Sequence, residues 1–179
     1  MVGVAVVMAA FAWWARYAQS QQVLEVWGKD AVVAIRTGKR VELLKAMNPD
    51  IDSPETKSSA DTKSTSEIEL ELPTGTETTK IRFATEKEIS KTPGLIHCRH
   101  HLVHQKGFDW TAERQEGCQS NWTVGLRFLP DPVAATPNRK ATMLFDFACN
   151  RVFLVERQAE VTMRPIIADA LKEFFAELK

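Results

Sequence analysis

Four histidines, His97, His100, His101 and His104, fall within eight residues of the run IHCRHHLVH. Imidazole titrates near neutral pH and, when neutral, ligates metals. What the run can do depends on its backbone. On a helix the four positions are i, i+3, i+4 and i+7 and form one stripe. Pairs such as His97/His101 or His100/His104 could then share a metal ion, with Cys118 the nearest further ligand in sequence. The same helix would set Arg99 inside its apolar arc. On a strand, Ile96, Cys98 and Leu102 point one way and His97, Arg99 and His101 the other. That alternation is cleaner, and it favours the strand. A guanidinium between two imidazoles could hold a carboxylate or phosphate. The metal candidates are therefore His97, His100, His101, His104 and Cys118, and the anion candidates are His97, Arg99 and His101. A hydrated polar face explains the same residues more simply.

No other segment adds chemistry to this one. The chain has no His-Glu-x-x-His, no Cys-x-x-Cys, no Gly-x-Ser-x-Gly, and no phosphate-binding or dinucleotide-binding glycine loop. No cofactor is expected, and the chain reads as a non-enzyme. Asp146, in LFDF, is expected as an outward strand residue or a salt-bridge partner. Cys98, Cys118 and Cys149 are an odd number at wide spacing and read as reduced thiols, with a Cys98–Cys118 bridge as the alternative in an exported domain. Acidic and basic residues balance at 23 each, which leaves no field to attract nucleic acid.

The elements that must position these residues begin with an apolar run, MVGVAVVMAAFAWWA. Through Ala18 it would make a helix about 27 Å long, close to the thickness of a hydrocarbon core. Trp13, Trp14 and Tyr17 around Arg16 resemble an interfacial belt, and residues 1–18 are expected as a transmembrane anchor. A secretory signal would carry basic residues ahead of the run. Residues 19–47 follow as a juxtamembrane helix broken at Gly28, a short helix capped by Asp30 and closed by a left-handed Gly38, and a first strand. Residues 48–66 are Ser, Thr, Asp and Lys with two prolines, and read as a disordered polar insertion.

Residues 67–179 then read as an α+β domain, a mainly antiparallel sheet packed against a C-terminal amphipathic helix. Ile68, Leu70 and Leu72 alternate with three glutamates, and Trp122, Val124, Leu126 and Phe128 repeat the pattern, as do Met143, Phe145 and Phe147. Pro165 opens a helix whose stripe is Ile166, Ile167, Ala170, Leu171, Phe174, Phe175 and Leu178.

The anchor, residues 23–44, GLIHCRHHL at 94–102 and the stretch 122–155 together resemble a family of small single-span bacterial membrane proteins with no known activity. That pattern matches His97, Arg99 and His100, with Trp110, Leu126-Arg127-Phe128 and Leu144-Phe145-Asp146-Phe147, and leaves out His101 and His104. The resemblance implies a membrane-anchored interaction or accessory domain. A metal- or anion-binding sensor built on residues 97–104 is the alternative. By the positive-inside rule, Arg16, Lys29, Arg36, Lys39 and Arg40 place the domain in the cytoplasm.

Overall fold

Gly28 divides the first element. Helix α1 (Val2–Thr37) is interrupted there by a non-helical backbone (φ 76, ψ 155) and then resumes. Such a positive φ suits glycine, which has no Cβ to clash. The interruption frees carbonyls in the preceding turn, and Arg157 Nη2 donates to one of them, Glu25 O, at 3.3 Å. Downstream of residue 22, Val23, Trp27, Ala31, Ala34 and Ile35 are buried, so α1 keeps one face in the core through the kink. Residues 2–18 are thus not a separate element but the first half of a longer one. Among the described residues no helix is long and apolar enough to cross a membrane.

The computed structural model describes residues 2–47, 67–74, 77–110, 118, 121–131 and 139–178. The insertion expected at 48–66 lies outside the described residues. After α1 come β1 (Arg40–Ala46), β2 (Glu67–Thr74), β3 (Glu77–Glu88), α2 (Leu95–Leu102), β4 (Phe108–Asp109), β5 (Val124–Leu129), β6 (Ala141–Asp146), β7 (Arg151–Leu154), β8 (Ala159–Met163) and α3 (Pro165–Glu177). The strands form one curled antiparallel sheet in the order β2-β3-β1-β5-β6-β7-β8-β4. The expected α+β class, with α3 packed on an antiparallel sheet, is what the chain forms.

Alternation explains which face each side chain takes. Val41, Leu43, Leu126, Phe128, Met143 and Phe145 join α1, α2 and α3 in the main core. Leu44, Leu72, Phe83, Trp122, Leu144 and Phe153 make a second cluster on the opposite face. Every residue of β6 is buried, as befits a strand covered on both sides.

Two expectations for the helices need correction. Gly38 is not the left-handed residue that closes α1; the positive-φ glycines among the described residues are Gly28 and Gly94. Gly38 serves close approach instead. A Cβ there would lie 2.6 Å from Ala34 O and 3.1 Å from Leu129 O. Ile166 does not join the stripe of α3, which buries Ile167, Ala168, Leu171, Phe174 and Phe175 and leaves Ile166 exposed.

The cysteines also differ from expectation. Cys118 and Cys149 form a disulfide, with Cα atoms 6.0 Å apart, and Cys98 is a buried free thiol. Asp146 is not outward and solvated but fully buried. Its Oδ2 accepts from the Asn121 amide at 2.9 Å, and its Oδ1 accepts from the amides of Ala148 at 2.9 Å and Cys149 at 3.2 Å. The carboxylate thus ties residue 121 to the β6–β7 turn, the same two segments that the disulfide joins.

Candidate functional site

The histidine segment is helical. Gly94 enters α2 in the left-handed region at φ 81, and Leu95, Cys98 and Leu102 point into the core. The strand expectation is therefore overturned, because an eight-residue run fits either period and the core contacts decide. His97 and His101 no longer share a face with Arg99. The histidines line the outer side, with His97, His100 and His104 exposed and His101 half-buried.

Arg99 is not aimed at solvent. Its Nη1 donates to Ile35 O and Arg36 O, both at 3.1 Å, and its Nη2 donates to Gly38 O at 2.5 Å. The guanidinium also lies over the Phe128 ring, 5.5 Å from its centroid. These are the carbonyls that the last turn of α1 leaves without helical partners, and a cation suits the negative end of that helix. What looked awkward on a helical α2 is thus a cap for α1, and Arg99 drops out of the anion candidates.

The end of α2 is held to α1 in turn. Trp27 Nε1 donates to Leu102 O at 3.2 Å. A 3-10 turn, Gln105–Gly107, follows, and its Gln105 Nε2 donates to Gln22 Oε1. Trp110 Nε1 donates to Gln105 O at 2.9 Å. These contacts fix His104 beside the turn, where its Nδ1 accepts from the Lys106 amide at 3.3 Å. The His100 ring lies with its centroid 5.1 Å from that of His104 and 6.1 Å from that of His101. His101 has its pKa lowered by burial first and then by its neighbours His100, His97 and His104.

A metal would find little more than one pair here. Cys118 is bonded to Cys149 and offers no thiolate. No group of three or more His, Cys, Asp or Glu able to hold a metal ion occurs among the described residues. The pair His100/His104 keeps the i,i+4 spacing and little else of a structural site.

Concavities also lie away from the histidines, and two of them border the sheet. One, of about 270 Å³, is bordered by Val26, Trp110 and the ion pair of buried Arg151 with half-buried Glu160, whose Nη1 and Oε1 are 2.9 Å apart. The other, of about 370 Å³, runs between the sheet and α3, with Leu43, Phe147 and Phe175 as its apolar wall and Lys45 and Lys172 on its border. Neither was foreseen. Arg151 and Glu160 meet only through the β7–β8 register, and nothing in their spacing marks them.

No protein-family model, no curated protein and no solved structure matches this chain.

Proposed function

We propose that the chain is a membrane-attached interaction or accessory domain whose hold on lipid is the N-terminal half of α1. One observation carries this reading. Val6, Val7, Met8 and Phe11 are 62% to 67% exposed on a helix whose later residues Val23, Trp27 and Ile35 are buried in the core. Burying a large apolar side chain is worth roughly 1.5–3 kcal/mol, so four on one helix half strongly favour a nonpolar phase. An embedded helix that need not cross the bilayer suffices.

The residues with chemistry are engaged in structure, which supports an interaction role over an enzymatic one. Arg99 serves carbonyls, Asp146 serves amides and Cys118 is in a disulfide. The disulfide also favours a domain on the oxidising side of the membrane, because cytosolic thiols are kept reduced. The basic residues that argue for the cytoplasm carry less weight on that account. Arg36 and Arg40 belong to the folded domain, and domains translocate largely regardless of charge.

The test is co-flotation of the full chain with phosphatidylcholine vesicles. The wild-type chain is expected in the vesicle fraction. A Val7→Glu/Phe11→Glu variant is expected to stay behind while keeping its circular dichroism. Wild-type protein that remains in the dense fraction overturns the reading.

A further inference from the structure

We propose that the end of the domain carrying His100, His101 and His104 contacts anionic lipid headgroups and grips them more tightly in acid. This rests on the lipid-embedded reading of α1 and names what the histidine segment would meet there.

Position comes first. The Gln22–Gln105 hydrogen bond seats the 3-10 turn on α1 at Gln22. At 1.5 Å per residue, Gln22 is about 16 Å along the helix from Phe11. With Phe11 among acyl chains, Gln22 falls near the headgroup layer, since that layer adds only about 5–8 Å on each side of the hydrocarbon. His104 adjoins Gln105, and the His100 ring lies beside that of His104. His104, with the His100 ring beside it, therefore lies where the domain is tied to α1 at Gln22.

Charge comes second. The charged groups on the elements packed about the histidine segment are Lys106 on the turn, Arg164, whose amide donates to Gly107 O at 3.0 Å, and Asp169, Lys172 and Glu173 on α3, which packs against α2. His97 lies one turn back on α2, and Arg99 is committed to the α1 carbonyls. These groups are of both signs, so the surface has no strong charge while the imidazoles are neutral. Protonating exposed His100 and His104 changes that. Each cation held at an anionic surface strengthens binding several-fold.

The experiment is co-flotation of the full chain in EDTA with two kinds of vesicle, at about pH 7.5 and about pH 5.5. One kind is phosphatidylcholine alone, and the other contains about a third phosphatidylglycerol. The proposal expects about tenfold or more tightening on acidification with the anionic vesicles, and none with the neutral ones. The His100→Gln/His104→Gln variant, altered at exposed positions, is expected to keep its binding to neutral vesicles and lose most of the acid step. A wild-type chain that binds neutral vesicles yet shows no acid step on anionic ones overturns this proposal and leaves the lipid-embedded reading intact. An acid step that survives the double substitution, or that appears equally on neutral vesicles, also overturns it. Failure to bind neutral vesicles at either pH instead overturns the reading beneath it.

Discussion

Arg99 on α2 donates to the carbonyl of Gly38, just past the end of α1, while Trp27 of α1 donates to the carbonyl of Leu102 at the end of α2. Each helix thus satisfies carbonyls that the other leaves open. Charge-assisted bonds of this kind are worth about 1.5–3 kcal/mol each and do not simply add. Arg99→Leu is expected to destabilise the domain by about 3 kcal/mol in urea unfolding. Arg99→Lys should recover only a part, since a lone ammonium cannot fork across carbonyls at 35, 36 and 38. A neutral result for Arg99→Leu would mean that the cap contributes nothing.

Asp146 makes a second prediction. Its carboxylate is buried and accepts three backbone amides from two segments. An amide in its place presents one acceptor oxygen and two unwanted donors. Asp146→Asn is expected to cost about 2–3 kcal/mol and to speed amide hydrogen exchange among Asn121, Ala148 and Cys149. Unchanged exchange at all three amides would refute the assignment.

How much of this was legible in the sequence depends on how far apart the partners lie. The alternation of Leu126 and Phe128, and the stripe from Ile167 to Phe175, are local signals, and β5 and α3 appear where they place them. Gly28 likewise announced its own break. Arg99 did not announce its role, because its acceptors lie 61 to 64 residues upstream. Asp146 was misread for a subtler reason. Its period does direct it away from the core face that takes Phe145, but the second cluster covers that other face too. Helix α2 has only eight residues, too few for either period to prevail without the core contacts of Cys98 and Leu102.

The cysteines give a third prediction. Cys98 is 3% exposed, and burial pushes its thiol up to about 12 against the lesser opposing pull of Arg99. At pH 8 only about one molecule in ten thousand would carry the thiolate, which is the reactive form. The folded chain should therefore resist a maleimide. Unfolded without reductant, it should take up a single label, and with reductant all three cysteines should react. Three labels in unreduced, unfolded protein from an oxidising compartment would rule out the Cys118–Cys149 bond. Reducing that bond reopens a loop spanning 31 residues, for which chain entropy gives a loss of roughly 4 kcal/mol and a melting point lower by roughly 10 °C.

The pH dependence of folding gives the fourth. His101 has a folded pKa below its ordinary value of 6.5, through burial first and then through His100, His97 and His104. The unfolded chain therefore binds a proton at His101 more readily than the folded chain does. Stability then rises with pH wherever the unfolded state holds more protons. The contribution is fully present above pH 6.5 and is lost as pH falls through the depressed folded pKa. Melts of the full chain in detergent-free buffer should show a falling midpoint as pH drops from about 7.5 to about 5. His101→Gln should flatten that slope in proportion to what His101 contributes, while leaving the stability at pH 7.5 within about 0.5 kcal/mol of the parent. A midpoint that holds steady or climbs on acidification would contradict the burial of His101. So would a His101→Gln variant that retains the full slope.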